Sequence, residues 1–198
     1  MGTWLWSIHL KTADATAVRA AAAKVADQCG GPMAVADPEA GWVSVYPQTD
    51  LIGDSLNITR MMAEATGVEH VLTLVVEDSD VFKYWYFHNG ELADAFNSCP
   101  DYYGEMDEDD LNARGNPQAF RGLLDDAGQR RLGELVAQRM INGQIVVSGA
   151  ERTDDDDDAD DFEEVESEFD FEDVRMERIA EVFDIRGAGK SFEEFGPS

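Results

Sequence analysis

Cysteine is scarce in this chain: Cys29 and Cys99 are the only two in 198 residues, too few for a disulfide framework at this length. That excludes the small secreted scaffolds held by disulfides and leaves a reducing, cytoplasmic compartment as the simplest expectation. Histidine is nearly as rare, with only His9, His70 and His88. The cysteines and histidines lie far apart without zinc-ligand spacing, so neither a metal nor a cofactor is expected. No apolar run approaches the roughly eighteen residues that a membrane span needs. The apolar stretch from Trp4 to Leu10 has no basic residue before it and alternates as a strand does, which sets it apart from a signal peptide.

Positive charge is also in short supply. Lysine occurs four times (Lys11, Lys24, Lys83, Lys190) against eleven arginines, and the formal net charge is −27. Half of the excess sits in one stretch, because residues 151 to 173 hold 15 acids and one base. Affinity for nucleic acid and anionic lipid rests on Lys and Arg releasing counterions, so direct binding to either is not expected. The balance of Asp over Glu and Arg over Lys suits a chain hydrated in concentrated salt, and a GC-rich genome with an acidic tail gives the same numbers.

What remains reads as one α+β domain over residues 1 to 148, an acidic low-complexity linker over 149 to 173, and an amphipathic helix within 174 to 198. Trp4, Trp6, Ile8 and Leu10 alternate as a half-buried strand. Asp14 to Gln28 places Val18, Ala22 and Val25 at helical spacing before Gly30 and Gly31. Trp42 to Tyr46 is a second strand. A second helix, with Asp50 as its expected cap, carries Leu51, Ile58, Met62 and Ala65 and stops at Gly67. His70 to Glu77, Val81 to His88 and Glu91 to Asn97 then form a meander joined by Asp78-Ser79-Asp80 and by the type I′ signal Asn89-Gly90. The order βαβαβββ implies a five-stranded antiparallel or mixed sheet, with a right-handed β-α-β start placing helices mainly on one face. Asn116 and Pro117 start a short helix, a longer one is expected over Asp126 to Asn142, and Val174, Ile179, Val182 and Phe183 mark the last.

Several short motifs suggest chemistry. Gly53-Asp54-Ser55-Leu56 resembles the nucleophile block of the GDSL family of esterases and lipases. That resemblance implies a serine attack on an ester, with an Asp-x-x-His pair activating the serine. The residues three before the histidines here are Trp6, Gly67 and Trp85, so the pair is missing. Gly187-Ala188-Gly189-Lys190-Ser191 looks like the end of a phosphate-binding loop, but Asp184 stands where its first glycine belongs. Neither Asp107 to Asp110 nor Asp154 to Asp161 has the central glycine of an EF-hand loop.

The densest polar-aromatic group is Asp78, Asp80, Tyr84, Tyr86, His88, Asp94, Asp101, Tyr102 and Tyr103. If helices cover the Trp85 side of its strand, Tyr84, Tyr86 and His88 line a partly open face, and aromatics with polar tips suit protein interfaces. The favoured expectation is therefore a non-catalytic binding or regulatory protein, of the inhibitor or toxin-neutralising type, that holds a protein partner with a basic surface. The alternatives are a nucleic-acid mimic acting through the run at 154 to 161 and a hydrolase using Ser55 or His88.

Overall fold

The computed structural model describes residues 2–104, 112–141, 143–147 and 172–195. It is an α+β fold built on a six-stranded sheet in which every neighbouring pair is antiparallel, ordered β2-β3-β1-β4-β5-β6. The strands are β1 (Leu5–Leu10), β2 (Met33–Val35), β3 (Val43–Pro47), β4 (His70–Glu77), β5 (Val81–His88) and β6 (Glu91–Asn97). β2 is the sixth strand; three residues are too few to show a period of two. Because β1 pairs antiparallel with β3, the expected right-handed parallel crossover does not form.

Helices cover both faces, not mainly one. Helices α1 (Ala15–Cys29) and α2 (Ser55–Thr66) pack Val18, Ala22, Val25, Ile58 and Met62 onto Trp6, Ile8, Leu10, Val43 and Val45. Asp14 caps α1 by accepting the Ala17 N–H at 3.0 Å. Asp50 caps nothing: it lies in a 3-10 turn, Thr49–Asp54, that precedes α2. The opposite face, carrying Leu72, Leu74, Val76, Phe82, Tyr84 and Tyr86, is covered by α3 (Asp126–Val136) and α4 (Glu172–Val182). Met176, Ile179, Ala180 and Phe183 are buried there, so the C-terminal helix is part of the core. Phe162 to Phe171 and the acidic run before them lie outside the described residues.

The helix expected up to Asn142 ends at Val136, and Gln138–Ile141 (β7) and Gln144–Val147 (β8) form a hairpin instead. Tertiary bonds override the helical pattern here. The Met140 N–H donates to the Ser98 carbonyl at 2.7 Å, and Arg139 Nε donates to the Asn97 carbonyl at 2.8 Å. At the C-terminal side, the segment after α4 crosses β1 and β3 and offers its carbonyls to their polar side chains. Trp42 Nε1 donates to Phe183 O at 2.9 Å, Tyr46 Oη to Gly187 O at 2.9 Å and Ser7 Oγ to Ala188 O at 3.4 Å. A final short helix, α5 (Phe192–Phe195), follows Ser191, whose N–H donates to Glu194 Oε1 at 3.1 Å, one half of a capping box.

Beneath this segment His9 is fully buried, with Ser7 Oγ 2.8 Å from Nε2 and Ser44 Oγ 2.8 Å from Nδ1. Both ring nitrogens therefore have partners while the ring stays neutral, and burial pushes its pKa from 6.5 down to about 3.

Met176→Ala is expected to cost about 2–5 kcal/mol, read as a lower urea midpoint; a change within about 0.5 kcal/mol, the range of surface substitutions, would show that α4 does not unfold with the sheet. His9 sets a pH dependence. Between pH 6.5 and 3 the unfolded chain takes up a proton that the folded chain refuses, so stability is complete above that window and falls as pH drops through it. The loss expected from this residue is about 2 kcal/mol at pH 5. His9→Gln should make the plot of unfolding free energy against pH shallower between pH 6.5 and 5, and an unchanged slope would assign the proton elsewhere.

Candidate functional site

The nine polar-aromatic residues singled out in the sequence do not form one surface. β5 spans Val81 to His88, so its ends are about 24 Å apart at the usual rise of a strand. The residues divide between the two ends of the sheet and its core.

Tyr84 and Tyr86 belong to the core, which corrects the expectation of a partly open face. Both are 0% exposed. The ring of Phe120, from the 3-10 turn Pro117–Phe120, stacks on Tyr86 at 4.2 Å and meets Tyr84 edge-on at 6.0 Å. Leu132, Leu135 and Val136 of α3 complete the cover. Tyr84 Oη donates to Asp94 Oδ2 at 2.6 Å, and the same oxygen accepts the Asn116 N–H at 2.9 Å. Burial raises the pKa of Asp94 and lifts that of Tyr84 well above 10, so this pair works as a structural clamp between β5, β6 and the loop at Asn116. Gly115 makes the close approach possible: its φ is +74°, and a Cβ there would lie 3.0 Å from Tyr84 Oη and from Val136.

At the β4–β5 end, Asp78, Asp80, Asp101, Tyr102 and Tyr103 do come together. Asp78 and Ser79 both have positive φ, 54° and 65°, a backbone that costs non-glycine residues energy and recurs at binding sites. The loop is held by Ser79, whose Oγ accepts the Thr3 N–H at 2.7 Å and whose N–H donates to the Thr3 carbonyl at 3.0 Å. Tyr102 Oη donates to Asp80 Oδ2 at 2.9 Å and approaches Asp78 Oδ2 at 3.4 Å. That hydrogen bond to Asp80 is the main reason its pKa rises to about 12. Tyr103 stands edge-on to Tyr102 at 5.0 Å, with Lys83 Nζ 5.7 Å from its ring centroid. Asp101 receives a weak bond from Cys99 Sγ at 3.6 Å; burial first, then the Asp101 charge, pushes that thiol up to about 11, away from nucleophilic use. Tyr103 is 65% exposed, and Trp4, which precedes β1 at the same end, is 38% exposed. Trp4 was expected in the strand, and its place in this patch follows from the hydrogen bonds of Thr3, which sequence patterning does not reveal.

At the β5–β6 end, His88 meets two residues that the sequence reading passed over. Glu69 Oε1 lies 3.3 Å from His88 Nε2 and 3.7 Å from His70 Nε2, and the two imidazoles stack with centroids 5.1 Å apart. Burial lowers the pKa of His70, opposed by the Glu69 charge.

The remaining motifs are structural where they are described. Ser55 is buried at the first turn of α2, far from the exposed position of an esterase nucleophile. Gly187 accepts the Tyr46 hydroxyl through its carbonyl, and Lys190 N–H closes a turn on that same carbonyl at 3.1 Å, so the segment packs against β3 in place of cradling phosphate. The acidic runs at 107–110 and 154–161 lie outside the described residues. Among the described residues, no helix is long and apolar enough to cross a membrane.

No protein-family model, no curated protein and no solved structure matches the chain.

Proposed function

We propose that the chain is a non-catalytic binding protein of the cytoplasm that holds a protein partner with a basic surface, using the patch formed by Trp4, Asp78, Asp80, Asp101, Tyr102 and Tyr103. The observation that carries this reading is Tyr103, the most exposed of the large apolar side chains among the described residues, standing in a fixed place against Tyr102. Aromatic side chains already oriented by their neighbours lose little freedom on binding, and such residues dominate the energetics of protein interfaces. The acids around them supply the other half. Asp78, Asp80 and Asp101 are joined by the first turn of α4, because the Glu172 N–H donates to the Ser79 carbonyl at 3.2 Å and brings Asp173 close. This acidic rim speeds encounter with a basic partner and excludes acidic competitors. The free thiols of Cys29 and Cys99 suit a reducing compartment.

The patch is tested by capture of a partner with immobilised full chain, followed by kinetics on the purified pair. Tyr103→Ala is expected to weaken binding by about 30-fold, the effect of an anchor residue worth about 2 kcal/mol. The association rate should fall steeply between low and high salt. A captured partner whose affinity survives Tyr103→Ala, or whose association rate is flat with ionic strength, would remove this surface from the reading.

A further inference from the structure

The other end of the sheet carries a different chemistry. β4 and β5 pair with His70 opposite His88. The Asn89 N–H donates to the Glu69 carbonyl at 2.8 Å, so 69 and 89 are the hydrogen-bonded pair and 70 and 88 the non-bonded one. Side chains of a non-bonded pair stand closest across an antiparallel ladder, and here both are imidazoles on the same face. Glu69, one residue before His70, curls its carboxylate over the two rings, so that one ligand atom from each of the three residues lies within 4.8 Å of the others.

We propose that Glu69, His70 and His88 form a binding site for one divalent ion of the zinc class, with the fourth position left to water. Tetrahedral zinc with bonds of about 2.0–2.1 Å holds its donors about 3.3–3.4 Å apart. Glu69 Oε1 already stands 3.3 Å from His88 Nε2 and 3.7 Å from His70 Nε2, so closure requires side-chain rotation and no change of backbone. Two imidazoles and one carboxylate are the donor set of open, three-ligand zinc sites, and imidazole selects such ions over calcium and magnesium.

The surroundings fit a ligand set rather than a stack of surface rings. His70 Nδ1 is 2.8 Å from Tyr86 Oη, and with Nδ1–H as donor its Nε2 lone pair points to the site. Metal-bound histidines are oriented by an outer partner of this kind, and Tyr86 is itself locked in the core by Phe120. His88 is the adaptable ligand, about two-fifths exposed, with Nε2 engaged by Asn89 Nδ2 at 3.2 Å, a contact that an ion replaces. Glu91 lies opposite His88 in the β5–β6 register, adding a second carboxylate at this edge. The nearby cation Lys11 is turned away, its Nζ 3.4 Å from the Ala40 carbonyl and 4.7 Å from the Trp42 ring centroid.

The test is a calorimetric titration of the full chain with Zn2+ in buffered physiological salt, repeated in excess Mg2+ to occupy the acidic stretches. One equivalent is expected to bind in both conditions, and Co2+ in its place should give the visible absorption of a four-coordinate ion. His88→Gln should weaken binding by roughly tenfold or more, and Tyr86→Phe, which leaves all three ligands in place, by roughly tenfold. Unfolding curves for each variant separate lost ligation from lost folding. Absence of a saturable equivalent, or an equivalent that His88→Gln and Glu69→Gln leave unchanged in folded protein, would overturn the site by assigning the ion to other carboxylates.

Discussion

One antiparallel sheet with both faces taken out of water is the constraint on which the rest of this structure depends. β1 shows how it operates. Its even-numbered residues Trp6, Ile8 and Leu10 meet α1 and α2, while Ser7 and His9 on the other side are equally buried. Strands of this kind have no solvent face, so every polar group on them must find a partner within the protein. The chain meets most of that demand with Ser44 beside His9, and with the carbonyls of Phe183, Gly187 and Ala188 placed over Trp42, Tyr46 and Ser7; the exception on β1 is Trp6 Nε1, buried without a hydrogen-bond partner among the described residues. The same demand explains Asp94, a half-buried carboxylate that both the Tyr84 hydroxyl and the Asn116 amide donate to.

The parts of the fold that were legible in the sequence are those with local causes. Asn89 and Gly90 take positive φ as their chemistry suggests, Gly30 and Gly67 end their helices in the left-handed conformation, and the three-strand meander is where β-branched and aromatic residues cluster. What was not legible depends on distant segments. The continuation of α3 beyond Val136 is a sound local inference that loses to the hydrogen bonds that Met140 and Arg139 donate to the Ser98 and Asn97 carbonyls. Tyr84 and Tyr86 look like surface residues only while the chain that buries them, Phe120 and α3 and α4, is left out of account.

Of the candidate site, the acidic turn and the tyrosines after Cys99 were readable from composition, but Trp4 was not, because it reaches the patch through an end of β1 that never pairs as a strand. The histidine pair is a different case. Glu77 pairs with Val81 across the loop at 78 to 80, and counting back along both strands from that loop sets His70 opposite His88. Eighteen residues of separation therefore conceal a cross-strand contact, and hairpin register is the signal that reveals it.

The burial of Met176, Ile179 and Phe183 against β4 and β5 also has a bearing on how the molecule is made. Translation delivers the strands and the first two helices early, so one half of the interior closes while the opposite side of the sheet still exposes Leu72, Leu74, Phe82, Tyr84 and Tyr86 to the ribosome's surroundings. Phe120 and α3 can close over part of it, but the area that Met176, Ile179 and Phe183 cover stays bare until α4 has left the exit tunnel, and exposed apolar surface of this kind favours association with neighbouring chains.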